Sequence, residues 1–165
     1  MSESGVAWSE LEREAADLGE AGRRLLIGDD GVAIAFLATA DAAGVPHMAP
    51  VCPIFCGDDL YLSAGRATVK VRDLRSNGRF VLHAFLGAND EELQVAGRAT
   101  ETTDPAERAR VHEAIPFPAF DRDDPIFRLR PERALWVHWE RVGQPDTKPV
   151  RRRWTAGAAP DTARR

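Results

Sequence analysis

Between Gly31 and Ala64 the chain alternates short apolar runs with clusters of turn-forming residues: VAIAFLATA, ADAAG, VPHMAPVCPIF, GDD and LYLSA. Connectors this short can join only antiparallel neighbours, because a parallel pair needs a crossover of a dozen or more residues. The pattern predicts three successive strands in a meander. RFVLHAFL and EELQVAGRATET extend it as a fourth and a fifth strand, and IFRLRP with ERALWVHWERV supplies a last strand or pair of strands. Helices fall between and before them. Ser9 followed by Glu12 has the spacing of a capping box, and Leu11, Ala15, Leu18, Gly22 and Leu25 follow a helical period, which predicts one helix over residues 9–26. A second helix carries Ala67, Val71 and Leu74 on one face and stops at Asn77-Gly78, a left-handed cap. In DPAERARVHEA, Asp104 is the expected N-cap, Pro105 the first helical residue and Glu107 the closing member of a capping box. The fold class that follows is mainly β, an antiparallel barrel with peripheral helices.

At 165 residues, 44% of them apolar, the chain fits one domain, placed at residues 1–154, with residues 155–165 as a loose tail poor in large apolar groups. A formal charge of −4 argues against a nucleic-acid or membrane-surface binder, since those carry a basic excess. The polar, acidic start MSESGVAWSELERE is unlike a signal peptide, and no apolar run reaches the roughly 18 residues of a membrane span, so a cytoplasmic location is expected. Cys52 and Cys56 lie four residues apart in a run read as strand, where about 3.3 Å per residue separates them too far for a disulfide.

The stretch SAGRATVKVRDLRSNG carries the chemistry. A helix amino terminus exposes unpaired N–H groups and a partial positive charge, so phosphate binds there readily. Ser63 and Thr68 add hydroxyl donors, Arg66 a bidentate fork and Lys70 a compact charge, a set suited to a phosphate monoester. Neither GxxxxGK[ST] nor GxGxxG is present. His47, His83, His112 and His138 fall in separate elements without metal-ligand spacing. Trp136 and Trp139, three apart on a strand, face opposite ways, so one is core and the other faces a ligand or partner.

Three stretches, together spanning residues 31–111, resemble the pyridoxamine 5′-phosphate oxidase-like flavin proteins of the split β-barrel fold: FLATADAAGVPHMAPVCPIF, LYLSAGRATVKVRDLRSNGRFVLHAF, and LQVAGRATET followed by DPAERAR. The resemblance implies that the anion is the 5′-phosphate of FMN, held by Lys70 and Arg66 with Ser63, Thr68 and the local backbone. It implies further that the strand bearing His47, Met48, Ala49, Pro50 and Val51 lies along the isoalloxazine ring. Such proteins are homodimers with the cofactor at the interface, which gives the aromatic strand with Trp139, and RRRW at residues 151–154, a place against a second copy. The strict oxidase carries R-x-V-L-L-K where this chain has His47-Met48-Ala49-Pro50-Val51, and an R-L-H-D-R motif near its end where this chain has WERVGQPDTKPVRRRW. The resemblance therefore implies a flavin-dependent oxidoreductase acting on a small molecule rather than that oxidase itself. A related branch uses the deazaflavin coenzyme F-420, and some split-barrel relatives bind haem without turnover; both stand as alternatives. No catalytic acid or base and no metal is assigned.

Overall fold

The computed structural model describes residues 5–118 and 121–158. Its first surprise is at the amino terminus, where two helices replace the single one expected: α1 (Trp8–Glu14) and α2 (Ala16–Leu26), with Ala15 non-helical between them. Ala7, not Ser9, is the N-cap, and it makes no side-chain capping bond. Glu12 turns instead to Trp8 Nε1 at 2.7 Å and to Arg23 of α2. The break folds α1 back so that the Trp8 ring, wholly buried, lies over Gly22. A β-carbon at position 22 would sit 2.7 Å from Trp8 Cζ2. Alanine normally stabilises a helix interior over glycine by about 1 kcal/mol, whereas overpacking a core costs about 1–3 kcal/mol. Gly22→Ala is therefore expected to destabilise the protein, by about 1–2 kcal/mol in urea unfolding, against the sign of helix propensity.

One antiparallel sheet curls into a half-barrel. Its strands are β1 (Ala35–Ala40), β2 (Pro46–Val51), β3 (Ile54–Cys56), β4 (Asp59–Ser63), β5 (Arg79–Ala84), β6 (Glu92–Glu101), β7 (Ile126–Glu140) and β8 (Lys148–Thr155). The spatial order is β2-β1-β5-β6-β7-β4-β3, with β8 also on β7. Two more helices, α3 (Val69–Asn77) and α4 (Pro105–Ala114), complete the chain order.

The expected three-strand meander is only half present. β1 and β2 form a hairpin closed by Asp41, whose Oδ1 accepts from the N–H groups of Ala43 and Val45 at 2.9 Å each. The following run is not one strand: pairing lapses at Cys52-Pro53, where proline has no N–H to give, and β3 pairs with β4 rather than β4 with β2. β4 then joins β7, so this two-residue joint carries the chain from one end of the strand order to the other. Both cysteines are free and half-buried.

α3 ends as expected, at Gly78 in the left-handed region (φ 67°). α4 starts on Asp104, whose carboxylate accepts from the N–H groups of Ala106 and Glu107, behind Pro105. The capping box does not form, because the Glu107 side chain turns inward to Tyr61, Thr102 and Arg128. β7 is one continuous strand whose outer edge is shared: residues 126–129 pair with β4 and residues 133–140 with β8. β8 was not expected. Its apolar anchor is Trp154, buried, with Nε1 donating to Glu14 Oε2 at 2.8 Å, while Arg152 Nε reaches Asp17 Oδ2 at 2.8 Å. The run Arg151 to Arg153 is thus the body of a strand clamped under the amino-terminal helices. It ends at Thr155, the first residue of the expected tail; residues 159–165 lie outside the described ones. Among the described residues no helix is long and apolar enough to cross a membrane.

Candidate functional site

The amino terminus of α3 lies over the β1–β2 hairpin. Thr68 is its N-cap with extended backbone (φ −80°, ψ 153°), yet its hydroxyl caps nothing. Thr68 Oγ1 is buried and has no hydrogen-bond partner among the described residues. The helix's first-turn N–H groups are likewise left without a side-chain cap, and no acidic residue sits in that turn. Lys70 is there instead, half-buried and forming no ion pair with a described residue. Together with β1 and β2 it borders a cleft of about 400 Å³ lined by Leu37, Thr39, Pro46, His47, Met48, Ala49, Val69 and Lys70. That volume is within the range of small-ligand sites, and the walls are largely apolar, with one cation and one imidazole.

One helical turn beyond Lys70, Asp73 is buried against the same hairpin, 1% exposed. Its Oδ2 accepts from Thr39 Oγ1 and from His47 Nδ1, each at 2.8 Å, and Thr39 and His47 are direct cross-strand partners. Burial pushes the Asp73 pKa upward, but the hydrogen bonds from Thr39 and His47, with the positive charges of His47 and Arg72, outweigh it and hold the pKa below its ordinary value. Asp73 is thus an anion at neutral pH. An ionised carboxylate only accepts, so Nδ1 of His47 carries the proton and Nε2 is the nitrogen left open in a side chain that is 34% exposed. Oδ1 of Asp73 is buried with no hydrogen-bond partner among the described residues, which leaves its charge only partly satisfied.

Of the residues expected at the site, His47, Met48, Ala49 and Lys70 line one cleft, and Thr68 sits beside it at the helix cap. The others do not line it. Pro50 points outward and Val51 inward to the core. Ser63 ends β4 opposite Ile126, and Arg66 is exposed, donating from Nη2 to the Asp123 carbonyl at 2.8 Å. Trp139 is at the other end of β7 across from Pro149, 41% exposed, while Trp136 is half-buried with its Nε1 on Glu91 Oε1 at 2.7 Å.

Thr39 and Asp73 are the members that sequence reading missed. The hairpin turn at residues 41–45 already places Thr39 opposite His47, and an aspartate sharing a helix face with Leu74 must find a partner, since buried charges are paired. Those two signals together point to the triad.

The site's chemistry fits a flavin phosphate on its donor set: a cation without an ion pair to a described residue, a helix terminus without a side-chain cap and an orphaned hydroxyl, beside an edge strand whose outer main-chain groups pair with no other strand among the described residues.

The sequence matches the pyridoxamine 5′-phosphate oxidase family over residues 31–138, nearly two thirds of the chain. No curated protein matches it. Among solved structures, a haem-binding protein from Mycobacterium smegmatis has a TM-score of 0.54 at 18% identity; the match covers 87% of this chain and 57% of that one, so the chain spans little more than half the length of that protein. General stress protein 26 from Bacillus anthracis has a TM-score of 0.54 at 15% identity, covering 80% of this chain and 96% of that one. The haem storage protein HutZ from Vibrio cholerae has a TM-score of 0.51 at 16% identity, with 72% and 90% covered. At these identities the likeness is one of fold. With the sequence match over residues 31–138 and the curled antiparallel sheet, the chain belongs to the pyridoxamine 5′-phosphate oxidase family and has its split β-barrel fold.

Proposed function

We propose that the protein is a cytoplasmic, homodimeric, flavin-dependent oxidoreductase that holds FMN by its 5′-phosphate in the cleft between α3 and β2 and acts on a small-molecule substrate. The observation that carries this is the uncommitted Lys70 at the uncapped start of α3, with the buried, unpartnered Thr68 hydroxyl beside it. Lys70 supplies a point charge, the first-turn N–H groups of α3 supply oriented donors, and Thr68 supplies a hydroxyl. Leu37, Met48, Ala49 and Val69 give the cleft apolar lining. β2, as an edge strand, offers main-chain donors and acceptors to the polar rim of a flat ring. When bound, the flavin supplies hydride chemistry, and the chain's part is to bind, orient and shield it.

Support for a second copy is the outward side of β2. Met48 is 72% exposed and Pro50 is exposed beside it, next to Phe36 and Ala38 of β1. An apolar patch of this kind marks an interaction surface. Exposed Trp139 is available to that partner as well.

A haem-binding, non-catalytic role is the second reading. Two of the structural neighbours are described as haem proteins, and His47, with Nδ1 tied down, offers in Nε2 a nitrogen able to ligate iron. Coenzyme F-420 is the third, since a basic phosphate site serves either flavin. The deciding experiment is an absorption spectrum of the purified protein followed by titration of the colourless form with FMN, F-420 and haemin. Preferred, tight FMN binding is the expected result. Preference for F-420 moves the protein to the deazaflavin branch, a Soret band with haemin preference makes it a haem module, and binding of none refutes all three.

A further inference from the structure

We propose that a hollow on the face of the sheet turned away from the core, bordered by Arg79, Arg98 and Arg133, binds a small aliphatic dicarboxylate. This site is separate from the cleft assigned to FMN and does not depend on that reading.

The hollow has a volume of about 390 Å³, within the range of small-ligand sites. Its floor follows from strand register. Ala38 of β1, Val81 of β5, Ala96 of β6 and Arg133 of β7 are successive direct cross-strand partners, so they stand in one row on one face. Their sequence neighbours Leu37, Leu82 and Val95 are buried in the core, which turns the row outward. Thr39 borders both this hollow and the Lys70 cleft, and β1 itself separates the two.

Two features of the backbone gather charge there. Arg79 lies directly opposite Arg98, and like charges in that position destabilise an antiparallel pair. Between Ala96 and Gly97 the register of β6 against β7 shifts, making Glu132 the extra residue of a bulge. Glu132 and Arg133 then both line the hollow, whereas a regular strand would send one of them to the other face. Arg98 is held from behind: Nη1 donates to the Asn77 carbonyl at 2.9 Å, and Nε is 3.7 Å from Glu132 Oε1. The side chains of Arg79 and Arg133 are exposed and make no hydrogen bond or ion pair with a described residue. By contrast, Arg23, Arg24, Arg75 and Arg152 each reach a carboxylate of another element.

Three guanidinium groups against one carboxylate leave the hollow two positive charges in excess, which a dianion neutralises. Guanidinium forks take carboxylate and phosphate alike, so spacing decides between them. Arg79 and Arg133 rise from β5 and β7, on either side of β6 and about 10 Å apart across the sheet. The side chains between them, Ala38, Val81 and Ala96, are aliphatic. Two acidic groups joined by a short methylene chain match that layout. A single phosphate gathers its donors around one centre and does not.

The test is calorimetric titration of the full chain with succinate, glutarate and adipate, with acetate and inorganic phosphate as comparison probes. Saturable binding of at least one dicarboxylate is expected, about tenfold or more tighter than acetate or phosphate. Arg79→Gln and Arg133→Gln should each weaken it by about tenfold or more. Without ligand and at low salt, Arg79→Gln should unfold at the same temperature as wild type or higher, since it removes a like-charge pair, so lost binding is not lost fold. FMN affinity should be the same in both variants, and dicarboxylate affinity the same in Lys70→Glu. Absence of saturable dicarboxylate binding, phosphate binding as tight as that of the best dicarboxylate, or equal binding by wild type and both arginine variants overturns the proposal.

Discussion

Lys70→Glu is expected to weaken FMN binding by about 100-fold or more while leaving the fold as stable as before, or slightly more so. The affinity loss follows from turning a charge-assisted contact with the phosphate into a repulsion, a change worth about 3 kcal/mol or more in a partly enclosed site. The stability half of the prediction is the sharper one. Lys70 lies in the first turn of α3, where the helix dipole disfavours a cation and favours an anion by about 0.3–1 kcal/mol. No acidic residue stands in that turn, and Lys70 pairs with no described carboxylate. A lysine placed against the local field, with no ion pair to a described carboxylate, is what a bound phosphate would account for. Fluorescence titration with FMN and thermal unfolding, run on the same two proteins, separate the two effects. Unchanged FMN affinity in Lys70→Glu overturns the phosphate site; a lost fold in the variant shows instead that Lys70 has a structural partner.

How much of this was legible in the sequence depends on the range of the interaction that decides each feature. Local signals read true: the Asp41 turn, the Gly78 cap of α3, and Asp104 with Pro105 at the start of α4 are settled by residues within a few positions of one another. Features set by distant partners did not. Glu12 and Glu107 both stand three residues after a good capping residue, yet each is drawn away, Glu12 by Arg23 and Trp8, and Glu107 by Arg128 and Tyr61. In each case a partner from a distant element outcompetes the local capping bond, and that partner is invisible to local pattern. β8 was hidden because its inward face is an arginine and a tryptophan whose polar ends pair with Asp17 and Glu14 of the first helices, over a hundred residues earlier. The same logic splits the site. The Lys70 and Thr68 part is contiguous in sequence and was found, whereas the Asp73–His47–Thr39 part draws on three elements. Arg66, close by in sequence, turns to the Asp123 carbonyl because the loop before α3 runs beside residues 121–124.

Glu107→Ala is expected to cost about 3–5 kcal/mol of stability, a fall of about 10 °C or more in the unfolding midpoint, with FMN affinity unchanged. Glu107 is 5% exposed and ties β4, β7 and the residue after β6 to α4. Its Oε1 accepts from Tyr61 Oη at 2.7 Å and from Arg128 Nε at 2.9 Å, and its Oε2 accepts from Thr102 Oγ1. Removing the carboxylate strands two buried hydroxyls and takes from Arg128 its close ion pair with Glu107, Asp59 lying farther off at 3.9 Å. Burial raises the Glu107 pKa, but the hydrogen bonds from Thr102, Arg128 and Tyr61 outweigh it and the net shift is downward. The associated stability is therefore fully present above the ordinary value of 4.5 and is lost as pH falls through the depressed one, so the acid limb of wild type should steepen there and that of Glu107→Ala should not. The opposite limb gives an independent readout. Tyr61 is the chain's single tyrosine, and burial together with the bond to Glu107 pushes its phenol up to about 12. The fold thus favours the neutral phenol, a contribution present below its ordinary value of 10.0 and lost as pH rises towards the raised one. In Glu107→Ala the burial persists and the carboxylate does not, so an ultraviolet titration of this one phenol should find its midpoint lowered from about 12 part of the way to 10.0. An unmoved midpoint, or a stability loss below about 1 kcal/mol, means that Tyr61 and Arg128 do not depend on Glu107.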